Sequence, residues 1–375
     1  MKKILIATHF FYPTITPRAF RATELADELV RRGFEVDVLI GENEKLIKNY
    51  SKTNTNTNTN NLKGDSKKSI KNDVTKIPMY KMLISKLLIS FFGETNVIKK
   101  RSFFKKLNIE EYNSIISVGP PFYTHYFISK KIRKIGWKGI SITDWGDPFY
   151  KSGDANFMLP HMRHVQSRVL NTFNYLSIPV KEAKNYYVQF CKEDMIKIIP
   201  QGFSFEKTLK STTKDFSKKK SPVFIYAGAF YRDVRDPENL LKFLTTLKQD
   251  FTFIIFTDLE GDIFENTLKP YKIKLADKLI LNEKVPREEL LSYFQSSDFL
   301  LNIENISSNQ VPSKLIDLSL SERPILSIHP ENIDETKIIN FLSGNYVDQV
   351  KLDLSCYDIK NVASQFIELI DEEML

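Results

Sequence analysis

The sequence predicts an α/β protein with two Rossmann-like, doubly wound domains that face a central cleft. Apolar runs typical of buried strands alternate with helical patterns along most of the chain. A stretch rich in Lys, Ser and Thr at 204–221 interrupts this alternation, which then restarts. The chain has 375 residues, of which 42% are apolar and 27% are charged. This composition excludes wholesale disorder, collagen and coiled coil.

The first domain opens with a strand, a helix and a second strand. Residues 2–8 read as a buried parallel strand, 18–32 show helical periodicity that ends at Gly33, and 34–40 alternate as a strand. Such a unit implies a right-handed crossover between parallel strands. Further elements are predicted as strands at 114–118, 139–143, 174–178 and 196–199, and as helices at 79–92, 123–135 and 161–173.

The second domain repeats the alternation and precedes a terminal helix. Its predicted strands are 223–228, 251–256, 277–281, 298–302 and 323–328, and its predicted helices are 237–248, 262–269, 286–296 and 312–320. We expect 357–374 to form an amphipathic helix that packs back on the first domain. The predicted organisation is an N-terminal domain at 1–204 with a disordered surface insertion at 51–75, a C-terminal domain at 205–356, and the terminal helix at 357–375.

Composition narrows the class of protein further. Cys191 and Cys356 are far apart and only five His are present, which argues against a disulfide framework and against a metal site built on Cys or His. No signal peptide or membrane-spanning run is recognisable, so a cytoplasmic protein is expected. Residues 1–200 carry 33 Lys/Arg against 18 Asp/Glu, but no nucleic-acid-binding module stands out and no nucleic acid partner is expected.

The sharpest candidate site follows the fourth strand of the second domain, in a segment that runs from Asn309 to Asp317. Pro312 in the first turn of a helix would leave the N–H groups of Ser313, Lys314 and Leu315 exposed, which suits an anion, and Lys314 adds charge. Asp317, one turn further on, could accept hydrogen bonds from ribose hydroxyls. The alternative is a plain helix start with a solvated Lys and Asp.

A second candidate follows the first strand of the same domain. Gly228 ends that strand where a side chain would block the approach of a ligand. Arg232 and Arg235 come next, and the arginine fork suits phosphate oxygens. The alternative is a pair of surface arginines that bind Asp233 and Asp236.

Three residues of the first domain are candidates for chemistry. Asp144 and Asp147 follow a predicted strand and should face the cleft, although an Asp–Pro turn and helix cap would explain them too. His125 lies on a predicted helix after Pro120 and Pro121, where it is either a base or a packing histidine.

The basic, apolar stretch 77–106 has two interpretations. Lysines interleave with apolar residues, and the surrounding 51–109 carries 13 basic and 3 acidic residues. One interpretation is a helix that lies in an anionic membrane interface, which would make the protein peripheral at the inner face of a membrane. The other is an ordinary helix packed on the sheet, with solvated lysines beyond it.

Taken together, these segments resemble the GT-B fold glycosyltransferases of the family-4 type, which retain the anomeric configuration and need no metal. The resemblance spans nearly the whole chain. It is carried by Phe11–Pro13, Gly119–His125, Asp144–Pro148, Ile199–Phe203, Tyr226–Pro237 and Val311–Ile325.

The resemblance implies a reaction. A hexosyl group would move from a UDP- or GDP-linked donor to a saccharide or lipid-linked saccharide in bacterial surface polysaccharide synthesis. The nucleotide sugar is then a substrate, and no cofactor or metal is expected. The implied catalytic residues are Asp147, Asp144 and His125, and the implied donor diphosphate and nucleotide residues are Gly228, Arg232, Arg235, Gln310, Pro312, Ser313, Lys314, Leu315 and Asp317.

Two positions depart from the family pattern. Asn309 stands where the family has the glutamate that contacts the donor sugar, and Thr16–Arg18 stands where the loop after the first strand has a Gly–Gly pair. The resemblance assigns the acceptor side to the loop with Tyr12, Thr16 and Arg18. Two alternatives stay open: a scaffold protein that keeps the fold without activity, and a nucleotide-sugar 2-epimerase.

Overall fold

The computed structural model describes residues 2–14, 16–51, 79–151, 158–205, 221–306 and 313–372. The predicted insertion at 51–75, apart from Ser51, lies outside the described residues, as do Asn309, Gln310 and Pro312. The chain divides into two compact units: unit 1 combines 1–204 with 356–375, and unit 2 spans 205–355.

Unit 1 is built on a seven-stranded sheet with the order β3-β2-β1-β4-β5-β6-β7. Every strand is parallel except β3, which pairs antiparallel with β2. The strands are β1 Lys3–Thr8, β2 Glu35–Ile40, β3 Lys45–Ile47, β4 Ser114–Gly119, β5 Ile140–Trp145, β6 Tyr175–Ile178 and β7 Ile196–Ile198.

Helices cover both faces of this sheet. Leu5 and Ile115 contribute to one apolar cluster, whereas Ile4 and Ile116 contribute to another, because successive strand residues point to opposite faces. The helices of unit 1 are α1 Pro17–Arg31, α2 Met79–Phe92, α3 Val97–Lys106, α4 Phe122–Ile135, α5 His161–Leu170 and α6 Lys184–Tyr187.

Local sequence explains the bounds of α1. The Thr16 hydroxyl accepts a hydrogen bond from the N–H of Ala19 at 3.2 Å, and Pro17 occupies the first turn, where no intrahelical N–H bond is lost. Gly33 follows the helix at φ +88°, a conformation that favours glycine. The predicted end of this helix is therefore confirmed.

Unit 2 is built on a five-stranded, fully parallel sheet with the order β10-β9-β8-β11-β12. The strands are β8 Val223–Ala227, β9 Thr252–Thr257, β10 Leu279–Glu283, β11 Phe299–Ile303 and β12 Ile325–Ile328. The helices are α7 Glu238–Thr246, α8 Lys269–Leu275, α9 Arg287–Ser296, α10 Ser313–Ser319 and α11 Glu335–Leu342, with a π-helical turn Phe264–Leu268 directly before α8.

The last helix, α12 Ile359–Asp371, belongs to unit 1. Asp358 caps it by accepting the N–H of Lys360 at 2.9 Å. Val362, Ala363 and Phe366 are buried in the cluster that α1 also joins. The terminal helix therefore packs on the first unit, as the sequence predicts.

The structure differs from the sequence prediction at several element bounds. Strand β5 extends to Trp145, two residues beyond the predicted end, so Asp144 lies within the strand and not after it. The helix predicted at 262–269 continues to Leu275 because the wide π-helical turn accommodates Pro270, which lacks an N–H. Strand β3 and helices α3, α6 and α11 are not predicted from the sequence, and of these β3 and α6 have only three and four residues.

Across the residues that the structure describes, no helix has both the length and the apolar character needed to cross a membrane.

Candidate functional site

Each sheet has one point at which the strand order reverses direction. In unit 2 the chain runs from β8 outward to β10, then returns to place β11 on the other side of β8. In unit 1 the same reversal falls between β1 and β4. Ligands of doubly wound sheets bind beyond the carboxyl ends of the strands at such points.

Arg235 lies at the switch point of unit 2. Its Nε donates to Oδ1 of Asn305 at 2.8 Å, which joins the loop after β8 to the loop after β11. The N–H of Arg235 donates to the carbonyl of Tyr231 at 2.7 Å, and the N–H of Ile306 donates to the carbonyl of Val234 at 3.0 Å. Both loops therefore hold the guanidinium in place.

The charge of Arg235 is not neutralised by a carboxylate within the described part of the chain. Among the described residues, its side-chain partners are the neutral Asn305 and the Tyr226 phenol, whose pKa is raised to about 12, above all by burial. A half-buried cation with neutral partners is suited to an anionic ligand. Gly228, which directly follows β8, has a φ of +149° and no side chain that could block a ligand from approaching the backbone.

Arg232 has a different environment, although it belongs to the same loop. Its Nε donates to Oδ2 of Asp262 at 2.6 Å, and its Nη1 lies 3.4 Å from Asp236 and 3.9 Å from Glu238. Three carboxylates thus surround this guanidinium and raise its pKa. The sequence allows an alternative in which both arginines pair with surface acids. Arg232 fits that alternative, since it contacts Asp236 as predicted, but Arg235 does not.

A cavity of about 480 Å³ lies beside this loop, beyond the carboxyl ends of β8 and β9. Arg232, Asp233 and Val234 line one side, and Asp258, Asp262 and Phe264 line the other. Lys284, which follows β10, donates to Oδ2 of Asp258 at 2.6 Å. The lining of the cavity thus combines charged side chains with aromatic and aliphatic ones.

The predicted anion site at the start of α10 is described in part. The helix begins at Ser313, one residue from the predicted start, and the structure describes the backbone but not the side chains of Ser313 and Lys314. Leu315 packs against the core of unit 2, and Asp317 is half-buried. The structure therefore brings Gly228, Arg232 and Arg235 together in one loop, but it does not relate them to 309–312.

In unit 1, the side chains of Arg18 and Asp147 form a pair of opposite charge. Nη2 of Arg18 lies 3.8 Å from Oδ2 of Asp147, and the Asp147 side chain is 52% exposed. The guanidinium crosses directly over Gly146, where a Cβ would lie only 1.2 Å from Nη2. Burial lowers the pKa of Arg18, while the carboxylates of Asp144 and Asp147 oppose this shift. Glycine at 146 is therefore required for this arrangement.

Asp144 is buried and its carboxylate is fully engaged. Nε and Nη2 of Arg21 donate to its two oxygens at 2.5 and 2.6 Å, and Oγ of Ser177 donates at 2.7 Å. Burial raises the pKa of Asp144, but the charge and hydrogen bonds of Arg21 outweigh burial and hold the pKa below its usual value. The expectation that Asp144 faces a cleft is corrected, because its side chain turns into the protein from within β5.

His125 belongs to helix α4 and is buried against Trp145 of strand β5. The two rings stack with centroids 4.8 Å apart, and Nδ1 lies 2.8 Å from Oγ of Ser117 and 3.0 Å from Oγ1 of Thr143. Thr143 also accepts the indole N–H of Trp145 at 2.6 Å, so its own hydrogen can point to an unprotonated Nδ1. Burial lowers the pKa of His125 to about 3, and this neutral ring fits the packing interpretation.

We expect His125 to make stability pH-dependent. The unfolded chain binds a proton at this ring below a pKa of about 6.5, whereas the folded protein does so only near 3. Stability is therefore lost as pH falls from about 6.5 towards 3, by up to about 1.4 kcal/mol per pH unit. Urea unfolding of wild type and His125→Gln at a series of pH values measures the difference.

The exposed His164 supplies the control for that series. His164→Gln should leave the slope of unfolding free energy against pH unchanged, whereas His125→Gln should flatten it. Equal slopes for all three proteins would contradict the assignment of the acid sensitivity to the buried ring.

A small cavity of about 50 Å³ opens beside these residues. Gly119, His125, Trp145, Asp147 and Phe149 are among its lining residues. Gly119 is required here because a Cβ would lie 2.1 Å from Nε2 of His125. The structure therefore brings His125 and Asp147 to one cavity and places Asp144 in the protein interior.

His9 and Tyr123 occupy the switch point of unit 1, and sequence reasoning missed both. His9 directly follows β1, and its Nδ1 is hydrogen-bonded to the Tyr123 hydroxyl from α4. Burial is the main cause of a lowered pKa for His9. The N–H of Tyr123 donates to the Glu94 carboxyl group, whose pKa is raised by burial to about 8. The position of His9 after the first strand was the available signal.

The predicted acceptor loop lies between β1 and α1. Thr16 caps α1, so its hydroxyl already has a structural partner. Tyr12 is 48% exposed, and its N–H donates to Oγ1 of Thr23 at 3.1 Å.

Within the described residues, no cluster of three or more His, Cys, Asp or Glu is arranged to hold a metal ion.

No model of a known protein family matches the sequence, and no curated protein matches it. Solved structures do match. A glycosyltransferase from Rickettsia africae aligns over 100% of this chain and 99% of its own, with a TM-score of 0.58 and 12% identity. The lipopolysaccharide outer core galactosyltransferase WaaB aligns over 99% of both chains, with a TM-score of 0.56 and 12% identity. HepE of Anabaena, solved with UDP-glucose, aligns over 99% of this chain and 100% of its own, with a TM-score of 0.57 and 11% identity.

These likenesses establish the fold. Two doubly wound units with parallel sheets of seven and five strands match the two-domain GT-B architecture of these structures. The predicted fold class is therefore confirmed.

Proposed function

We propose that this protein is a glycosyltransferase of the retaining, metal-independent type. It would move a hexosyl group from a nucleoside-diphosphate sugar, linked to UDP or GDP, to an acceptor hydroxyl. The observation that carries the proposal is Arg235, a half-buried cation held between two loops at the switch point of unit 2. The whole-chain likeness to glycosyltransferase structures, one of them solved with UDP-glucose, supports it.

The chemistry of sugar transfer explains why a cation is needed here. Negative charge develops on the departing diphosphate as the glycosidic bond breaks, and a positioned cation stabilises that charge without reorganisation. Asn305 uses the Nε–H of Arg235, and the donors left for a ligand would be the N–H groups of Nη1 and Nη2. Ser313 and Lys314 would add donors from the start of α10, and Asp317 would bind the ribose. The family resemblance assigns Gln310 to the nucleotide diphosphate and Asn309 to the donor sugar.

Asp147 and Arg18 are the proposed acceptor-side residues. Asp147 combines an exposed carboxylate with a place in the small cavity of unit 1, and Arg18 lies next to it. We propose that they bind the acceptor, which is a free or lipid-linked saccharide of bacterial surface polysaccharide synthesis. Asp144 would act as a positioning residue because it fixes α1, and with it Arg18, against the sheet.

Thermal unfolding of the purified protein against a panel of nucleotides tests the proposal. A ligand at about 100 times its Kd should stabilise the folded protein by about 2.7 kcal/mol. We expect one nucleoside diphosphate and its sugar to raise the Tm, and the matching monophosphate to do so less, because it lacks the phosphate that Arg235 would bind. Absence of a shift with every nucleotide would overturn the proposal and favour the inactive scaffold.

A further inference from the structure

Helix α2 presents an apolar stripe to the surface of unit 1. Tyr80, Leu83, Ile84, Leu87 and Phe91 are each at least half exposed. Their spacing places them within an arc of about 100° on one side of the helix. Soluble proteins seldom expose a contiguous patch of large apolar side chains unless it binds something.

Basic residues accompany this stripe in α2 and in the helix that follows it, α3. The segment 79–106 carries seven Lys/Arg and a single acidic residue, Glu94. Glu94 is turned inward, where it accepts the N–H of Tyr123. The charged residues that are exposed in the structure are Lys86, Lys99, Arg101, Lys105 and Lys106. An occupant of this surface must therefore combine apolar and anionic character.

Two other occupants fit this surface less well. The preceding residues 52–78 contain only four large apolar residues, Leu62, Ile70, Val74 and Ile77, which offer little area to cover the stripe. A second copy of the chain would bring an equally basic segment against this one, and like charges repel. An anionic lipid surface satisfies both requirements.

We propose that α2 and α3 together, called here the docking hairpin, hold the protein on an anionic lipid bilayer. The 14 residues of α2 span about 21 Å, whereas the hydrocarbon core is about 30 Å thick. The helix therefore lies along the interface. Its stripe enters the boundary between headgroups and acyl chains, and the lysines and arginines bind lipid phosphates.

The docking hairpin is fixed to the rest of unit 1 beside the small cavity. The N–H of Leu159 donates to the carbonyl of Ser90 at 3.1 Å, and Nε2 of His161 lies 2.9 Å from the carbonyl of Phe91. Gly93, at φ +76°, packs so closely on Phe149 that a Cβ would lie 2.1 Å from the ring. Phe149 lines the same cavity as Asp147.

This attachment has a consequence for the acceptor. A bilayer bound by the docking hairpin lies close to the cavity that Asp147 lines. Resting on the proposed function, we infer that the acceptor is a lipid-linked saccharide, whose lipid stays in the membrane while its hydroxyl reaches unit 1. A soluble oligosaccharide would have no need of this surface.

Sedimentation with vesicles tests the docking surface. Wild-type protein should pellet with vesicles of equal parts phosphatidylcholine and phosphatidylglycerol, and weakly with phosphatidylcholine alone. Leu83→Ser with Leu87→Ser should reduce binding at least about tenfold, since the buried apolar area is lost. Lys99→Glu with Arg101→Glu should reduce it further, because each basic residue contributes about fivefold.

Matched substitutions in unit 2 provide the control. Ile273 and Val347 are 78% and 85% exposed, and their replacement by Ser should leave vesicle binding unchanged. Circular dichroism verifies that each variant is folded. Vesicle binding that is equal in wild type and in the Leu83/Leu87 variant, or a wild-type dimer that this variant converts to monomer, would overturn the proposal.

The nucleotide panel separates this inference from the proposed function. If the protein binds vesicles but no nucleotide, the docking surface is supported and the proposed glycosyltransferase function is overturned. If the protein binds a nucleoside diphosphate but no vesicle, the proposed function is supported and the docking surface is overturned. Transfer to a lipid-linked acceptor in vesicles that exceeds transfer to the same soluble saccharide is the expected result, and the opposite order would overturn the acceptor assignment.

Discussion

Replacement of Arg21 by Met should lower the free energy of unfolding by about 3–5 kcal/mol. The variant leaves the Asp144 carboxylate buried without its cation, since Arg21 and Asp144 are 2% and 1% exposed. It also removes the donors to the carbonyls of Pro200 at 2.6 Å and Ile199 at 3.1 Å. Urea unfolding monitored by circular dichroism measures the loss.

The same helix contains a control for this prediction. Arg31 pairs with Glu28 and is 57% exposed, so Arg31→Met should cost only about 0–1 kcal/mol. The double variant Arg21→Met with Asp144→Asn should recover part of the loss, because no unpaired charge stays buried. Equal losses for Arg21→Met and Arg31→Met would contradict the role given to the buried pair.

Replacement of Arg235 by Ala should reduce sugar transfer by about 10²–10³-fold, the usual effect of removing one donor that stabilises charge in a transition state. The nucleoside diphosphate should lose most of its effect on the Tm, whereas the fold should persist because the side chain lies at a loop. Initial rates with the donor identified by the nucleotide panel measure the effect.

Arg232→Ala is the matched variant, since it removes a guanidinium from the same loop. Three acidic residues lie within 4 Å of Arg232, at 2.6, 3.4 and 3.9 Å. Little of its charge is then available to a ligand, and we expect a smaller loss than for Arg235→Ala. A larger loss for Arg232→Ala would show that the cation at the switch point has been misassigned.

The fold could be predicted from the sequence because its signals are local. Buried parallel strands are short apolar runs, helices have their own period, and Thr16 and Gly33 mark the limits of α1. The parallel direction of the strands is also implied by the alternation of strands and helices. Strand β3, with three residues on a sheet edge, carries too little pattern to be recognised.

The candidate site could be predicted only in outline. Sequence identifies both Arg232 and Arg235 as candidates, and the structure separates them by the acids that tertiary folding brings to Arg232 and not to Arg235. Asp144 reads as a site residue because it precedes an Asp–Pro turn, yet a partner 123 positions away holds it inside. Asn305 has no local signature, since its role depends on which strands become neighbours, and the only signal for His9 is its position directly after β1.

The terminal helix α12 has a bearing on how the chain folds during synthesis. It completes the core of unit 1, where Phe366 packs beneath the Arg21 guanidinium at 5.6 Å, yet all of unit 2 is made before it. Until α12 leaves the ribosome, the apolar face that it covers on α1 and its sheet stays open to water and to other chains. Synthesis of unit 1 therefore begins before that of unit 2 but ends after it. Unit 1 cannot complete its core until α12, which follows unit 2 in the sequence, has been made.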